Sequence, residues 1–415
     1  MKNKTFFSLN TQIALGAVSG LMIGIWLNKM GSTASVYSSF VYLSDIVGRL
    51  FIDLLKMILI PLVFTSIVTG IANLQAHHNM DRVWKTTLVY FFSTTALAIV
   101  IALIVVNVFK PGVGLNLAMF QDSLSGYSGN QLTLAEFIKS FFADLFVNPI
   151  TAMAKGNVLA TVIFALFLGV ALVVLKDRSQ KVLELMNQAF DVIMLMVQWI
   201  MKLAPLGIMA LLIKLVATQE LGLLSTLSKF VACVVGTTLF HGFIVLPSIY
   251  WIFTKKNPFD FLVAIREAMF TALSTSSSSA TLPVTLRCVE QNLKVDKNIA
   301  GFVCPLGATV NMDGTAIYES MAALFVANLA GIHLNLVQQL IVFAMAMLAS
   351  IGAPGIPSAG MVTMIMVLQS VGLPVEAIAI LLPIDRPLDT IRTAVNVEGD
   401  MVGSAIVDKI VNYTP

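Results

Sequence analysis

Apolar runs of about twenty residues, the length that crosses a bilayer, recur along this chain between short polar connections. They predict spans at about Thr11–Asn28, Val47–Ala72, Trp84–Phe109, Leu183–Val216 and Leu224–Phe253. Between the third and fourth of these, Lys110–Thr133 is a polar loop rich in Gly, Ser and Asn. Leu134–Leu175 is apolar but broken at Asn148-Pro149 and at Lys155-Gly156-Asn157, which predicts several short helical pieces rather than one rod.

The C-terminal third has another rhythm. Pro258–Leu293 is apolar but split by Ser274–Pro283 (STSSSSATLP), so neither half is long enough to span. An apolar helix follows at about Ile299–Leu329, carrying Asn311–Thr315 (NMDGT). Leu336–Val371 is split again at Ser350–Gly360 (SIGAPGIPSAG), and a last span covers about Ala377–Val411. The order is broken hairpin, polar helix, broken hairpin, polar helix. One span separates two re-entrant hairpins, so they open from opposite sides and the two units have inverted topology. In that architecture substrate lies near the midplane, where the interrupted helices meet, and broken backbone lines an enclosed or watered cavity.

Composition agrees: 58% of the 415 residues are hydrophobic and only 11% charged, against about 25% charged in soluble domains. Mean hydropathy is +0.90. The net charge of +3 gives no sign of a nucleic-acid partner. Cys233, Cys288 and Cys304 have no metal-pair spacing, and His77, His78, His241 and His333 form no ligand motif. Met1–Asn10 is short and basic and leads into the apolar Thr11–Leu27 without a small-x-small cleavage pattern, so a retained first span is expected. Lys2 and Lys4, Arg82 and Lys85, Lys176, Arg178 and Lys181, then Lys255 and Lys256 fall in alternate connections. The positive-inside rule then places both termini in the cytoplasm.

The chemistry is concentrated in the last span. Asp385, Asp389, Arg392, Asn396 and Asp400 are spaced four, three, four and four apart, which on a helix keeps all five within roughly an 80° arc. Glu398 points the other way. Ionisable groups within membrane helices are rare and face cavities or substrate paths; a soluble helix with one solvated face is the bland alternative. Arg392 can hold a carboxylate through two parallel hydrogen bonds, and Asp389, a turn away, can hold an ammonium group. The competing reading is that Asp389 and Arg392 pair with each other at i,i+3. Asp400 is better placed for a cation. In the first break, Ser276–Ser279 offer hydroxyls and a helix N-terminus suited to a carboxylate, where a low-complexity loop would be the plain alternative. Asn311 and Asp313 are hard oxygen donors suited to sodium, unless Asp313 is half of a structural pair with Lys or Arg. The second break supplies carbonyls or a gate, or else merely kinks a packing helix.

The stretches STSSSSATLP, GATVNMDGTA, SIGAPGIPSAG and RTAVNVEGD closely resemble the dicarboxylate/amino acid:cation symporter family, which includes archaeal aspartate transporters, animal excitatory amino acid transporters and neutral amino acid exchangers. The resemblance covers nearly the whole chain and is densest from Pro258 onward. It implies an all-α integral membrane protein with eight transmembrane helices plus two re-entrant helical hairpins, a homotrimer in the plasma membrane, and an elevator motion. Scaffold would comprise residues 1–83 and 134–223, and the transport domain residues 84–133 (third helix and loop) and 224–415. The substrate residues it implies are Ser278, Thr315, Gly360, Asp389, Arg392, Thr393 and Asn396. It implies three sodium sites: backbone of Gly307, Asn311 and Asn396 with the Asp400 carboxylate; backbone around Thr309, Ser350, Ile351 and Ala353 with Met312 nearby; and Tyr90, Ser93, Thr94, Asn311 and Asp313.

One departure stands out. Archaeal members carry an extra arginine where this chain has Ser276, and animal members one where it has Thr390; here Arg386 lies one turn earlier. The expectation is sodium-coupled uptake of L-glutamate or L-aspartate. Alternatives are a neutral amino acid or C4-dicarboxylate carrier, a proton-coupled variant, or an anion channel on the same scaffold. An intramembrane enzyme is not expected, because Ser276–Ser279 have no His or Lys partner in nearby sequence.

Overall fold

A computed structural model describes residues 9–30, 35–72, 81–114, 146–155, 157–218, 222–353, 355 and 359–412. His77, His78, most of the Lys110–Thr133 loop and the tip residues 354 and 356–358 lie outside them. The described residues are helical, without strands. In order they form α1 (Leu9–Met30), α2 (Ser35–Ala72), α3 (Asp81–Phe109), α4 (Pro149–Ala154), α5 (Val158–Leu175), α6 (Gln180–Met201), α7 (Ala204–Thr218) and α8 (Gly222–Phe240). There follow α9 (Leu246–Thr254), α10 (Pro258–Thr275), α11 (Ser278–Arg287), α12 (Lys297–Val310), α13 (Asp313–Leu329), α14 (Leu336–Gly352), α15 (Ala359–Ser370) and α16 (Ile378–Asn412).

Four stretches among the described residues are long and apolar enough to cross a membrane unbroken: Thr11–Met30, Val36–Thr69, Arg82–Phe109 and Thr226–Thr254. The expected helix at Ile299–Leu329 is instead two, α12 and α13, unwound at Asn311 and Met312. The Leu183–Val216 span is also two helices, α6 and α7, joined at a 49° bend, where Pro205 in the first turn of α7 cannot continue the preceding hydrogen-bond ladder. Between α8 and α9, His241–Val245 form a π turn just before Pro247. The wider turn lets the Leu246 N–H reach the His241 carbonyl while the proline ring is accommodated. The second helix begins earlier than expected, at Ser35, since no Gly or Pro other than Gly48 interrupts the chain before Pro61.

The first broken hairpin is interrupted only at Ser276-Ser277; Ser276 has φ +50°, and Pro283 lies inside α11. The second is interrupted between Gly352 and Ala359. Every residue of α13 except Asn328 is buried, the mark of a helix packed on all sides. α13 and α16 form the centre, surrounded by α3, α8, α10, α12 and the two hairpins, while α1, α2, α5, α6 and α7 pack on one another. α2 touches the second hairpin and α7 touches α16.

α1 and α7 meet through a stripe of glycines. A Cβ on Gly16 would lie 2.4 Å from the Pro205 carbonyl oxygen, on Gly20 2.6 Å from that of Met209, and on Gly24 2.7 Å from Val216 Cβ. Small residues four apart let membrane helices approach backbone to backbone, where lipid offers no hydrophobic drive for association. The contact is finished by Asn28 Nδ2, which donates to the carbonyls of Val216 (3.0 Å) and Ala217 (3.2 Å). Gly20→Leu is expected to lower thermal stability in detergent by about 1–3 kcal/mol, the usual cost of overpacking. Gly301→Ala, where an added Cβ meets no atom within 4 Å, should melt like the parent protein or slightly above it.

Candidate functional site

The polar stripe of α16 lies inside the protein. Asp385, Asp389, Arg392, Thr393, Asn396 and Asp400 are each at most 5% exposed. The i,i+3 pair forms: Arg392 Nη2 donates to Asp389 Oδ1 at 2.9 Å, and the same nitrogen donates to Asp385 Oδ1 at 2.7 Å. Arg386 Nη1 reaches the other Asp389 oxygen at 3.4 Å. Asp385 and Arg386 thus complete a four-charge network. The Arg392 guanidinium also stacks 4.0 Å over the Tyr318 ring, a cation–π contact strengthened by burial. Its Nε and Nη1 are buried without a hydrogen-bond partner. A guanidinium carries five N–H donors and no acceptor, so these nitrogens could serve only as donors to an acceptor.

Thr315, Gly360 and Asn396, three of the expected substrate residues, converge here. A Cβ on Gly360 would lie 3.2 Å from Thr315 Cγ2 and 3.8 Å from both Arg392 terminal nitrogens. Asn396 Nδ2 donates to Thr315 Oγ1 at 3.3 Å, and Asn396 Oδ1 accepts from the Gly314 N–H at 2.8 Å. Gly314 is needed for that approach, since its Cβ would sit 2.6 Å from the Arg392 carbonyl oxygen. Ser278 opens α11, capped by Ser277 Oγ, which accepts from the Ala280 N–H. Ser277 Oγ and the Ser279 N–H both donate to the Gly355 carbonyl, at 2.7 and 3.1 Å, so the two hairpin tips touch.

Towards the Asp400 end of the stripe the chemistry changes from guanidinium to oxygen. Asp313 is buried and, among the described residues, pairs with no Lys or Arg; Oδ1 accepts from Thr95 Oγ1 at 2.7 Å and Thr94 Oγ1 at 3.5 Å, and Oδ2 lies 3.1 Å from His241 Nε2. Thr94 Oγ1 is 3.4 Å from Asn311 Oδ1, and Asn311 Nδ2 donates to Asp400 Oδ1 at 3.0 Å. Asp400 lies against the backbone of Gly307, where a Cβ would come within 2.2 Å of Oδ1. Tyr90 donates to the Gly399 carbonyl at 3.1 Å. Ser93 does not join this group: it is exposed, and the helical turn brings Thr95 to Asp313 instead. Met312 and Ala353 share a small buried contact, bringing the unwound segment to the second hairpin. Ser350 is buried, its hydroxyl donating to the Met347 carbonyl; Ile351 follows it in α14, and Thr309 lies in the last turn of α12. The hydroxyl, amide and carboxylate donors fit an alkali cation, and the unwinding at Asn311-Met312 frees carbonyls for it.

Sequence reasoning missed Tyr318, Thr95 and Glu319, and placed Asp385 on the polar stripe without naming its partner. Glu319 is fully buried; Oε1 accepts from Thr363, and Oε2 has no hydrogen-bond partner. Asp385 had a signal, its i,i+7 register with Arg392. Glu398 does face away from the stripe, but towards protein: it packs against Gly242 of the π turn and is fully buried, both oxygens without a hydrogen-bond partner.

A bundle with several membrane-length helices, two tip-to-tip hairpins and buried charges at helix breaks defines a multi-pass membrane transporter. The chain belongs to the sodium:dicarboxylate symporter family, whose model matches residues 9–410. It is similar to excitatory amino acid transporter 3 of Bos taurus, 33% identical over 456 residues covering 98% of this chain and 86% of that one. Excitatory amino acid transporter 2 of Rattus norvegicus is 35% identical over 447 residues (95% and 77%), and an excitatory amino acid transporter of Caenorhabditis elegans 33% over 452 residues (98% and 87%). The family implies sodium as the coupling ion. Thr95→Val should then raise the sodium concentration for half-maximal transport about tenfold, the loss of a buried charged hydrogen bond. Thr95→Ser should restore it, and Ser93→Ala should leave the sodium titration unchanged.

Proposed function

We propose that the protein is a sodium-coupled secondary active symporter of acidic amino acids, L-glutamate or L-aspartate. The observation that carries this reading is the Arg392 guanidinium, with two buried donors lacking partners beside the carboxylate of Asp389. Arg392 receives the side-chain carboxylate of the substrate, and Asp389 exchanges a guanidinium contact for the substrate ammonium. Ser278 and the hairpin-tip amides, with Thr315, Gly360, Thr393 and Asn396, hold the rest of the molecule. Arg392 disfavours a purely neutral substrate, and Asp389 disfavours a C4-dicarboxylate without an amino group.

Sodium occupies the oxygen-rich regions around Asp313 and Asp400 and at the junction of Met312 with the second hairpin. Residues 84–133 and 224–415 move as the transport domain against a scaffold of residues 1–83 and 134–223. Three copies assemble through that scaffold in the plasma membrane, with both termini cytoplasmic. Proton coupling is the second reading, favoured by Glu319: its Oε2 is a buried acceptor without a partner, a group that gains from a bound proton in a dry interior.

In proteoliposomes with an imposed sodium gradient, labelled glutamate or aspartate should accumulate above its external concentration, which a channel cannot achieve. Arg392→Ala should abolish acidic uptake and admit small neutral amino acids; undiminished acidic uptake would remove Arg392 from the site. Asp400→Asn should shift the sodium dependence of uptake by about an order of magnitude, on the scale of a lost charged contact. An unaltered titration would remove Asp400 from the ion path. Accumulation driven by a proton gradient without sodium would favour the second reading.

A further inference from the structure

Along the seam of α3 and α8 runs a groove of about 540 Å³, lined mostly by apolar side chains. Ile101, Val105 and Phe109 form one wall, and Lys229, Gly236 and Phe240 stand along the other. A Cβ on Gly236 would meet no atom within 4 Å, so this glycine is required by no helix contact and leaves the groove open. From Lys229 to Phe240 the α8 wall rises about 16 Å at 1.5 Å per residue, about half of the ~30 Å hydrocarbon core. The groove therefore has the length of one leaflet. Its cationic end lies beside Phe109, where α3 stops and the exposed Lys110 follows.

We propose that this groove is a binding site for an anionic phospholipid, one acyl chain lying along Gly236 and the phosphate meeting Lys229. Charge complementarity selects the headgroup: Lys229 is exposed in an apolar wall, and a lysine there extends to the interface and pairs with a lipid phosphate. The inner end gives the lipid a route to the ion site. Phe240 lines that end, and the next residue, His241, contacts Asp313. A chain filling the groove steadies the π turn that holds His241 in place.

The test uses the full-length protein reconstituted in phosphatidylcholine alone or mixed with phosphatidylglycerol, followed by native mass spectrometry of retained lipid and by sodium-driven uptake. The parent protein should retain phosphatidylglycerol in preference to phosphatidylcholine and transport faster in the mixture. Lys229→Gln should cut that preference about fivefold, the equivalent of ~1 kcal/mol per basic contact, and remove the rate difference; Lys229→Arg should preserve both. Gly236→Phe should displace the lipid whatever its headgroup, with Gly236→Ala as its check on folding. Unchanged phosphatidylglycerol preference in Lys229→Gln overturns the proposal. So does undiminished lipid retention in folded Gly236→Phe, or retention of free fatty acid or a second copy of the chain in place of phospholipid.

Discussion

Hydrocarbon offers no partner to a charge, and the whole bundle is organised by that fact. Asp313, Asp385, Asp389, Arg392 and Asp400 all lie in the buried interior, where an unpaired ion costs several kcal/mol. The two ends of this polar region solve the problem differently. Around Arg392 the formal charges of Asp385, Arg386, Asp389 and Arg392 cancel within the protein. Around Asp313 and Asp400, among the described residues, no Lys or Arg forms an ion pair; the partners are hydroxyls, an amide and an imidazole. One end is balanced and carries spare guanidinium donors, and the other is short of positive charge. That asymmetry supports the proposed carriage of an anionic solute together with cations.

Local backbone serves the same end. Unwinding α12 from α13 at Asn311-Met312 turns the Asn311 side chain towards Asp400 and starts α13 with Asp313. Gly307 and Gly314 flank the break because each lies where a Cβ would strike α16, at Asp400 Oδ1 and at the Arg392 backbone. Only a helix pair with glycine at those points can bring its freed carbonyls this close to the stripe.

Much of this was legible in the sequence. Apolar run length marks most of the helices, and the Ser-rich and Gly/Pro-rich interruptions mark both hairpins. The four-three-four-four spacing puts Asp385 through Asp400 on one face, and the structure buries that face together. What escaped depends on contacts between distant segments. Tyr318 reads as a core aromatic until Arg392 is found over its ring. Thr95 rather than Ser93 meets Asp313 because α3 is rotated by its packing against α13, which no local pattern in α3 encodes. The break at Asn311 was obscured by apolar flanks that read as one continuous helix, since hydropathy does not register a two-residue unwinding. Glu398 was correctly set apart from the stripe, yet its surroundings follow from the π turn at His241–Val245, which only the assembled bundle reveals.

The hairpin tips show how gating and ion binding can share one piece of backbone. Among the described residues, two hydrogen bonds, from Ser277 Oγ and the Ser279 N–H to the Gly355 carbonyl, join the tips. At a net ~1 kcal/mol each, these two bonds contribute about a thirtyfold preference for the touching arrangement. Gly355 is also pressed against α12, its Cβ position 2.4 Å from the Ala308 carbonyl oxygen, and Ala353 packs on Met312. Lifting the second hairpin therefore disturbs the carbonyls at the end of α12 and the side chain at the centre of the unwound segment. On the proposed function, a cation held there would strengthen this arrangement, and the tip contact would in turn complete the cation's shell. Under that reading, coupling of ion to solute would need no long-range pathway, because the tip contact and the candidate ion site share Ala353 and Gly355 with the end of α12.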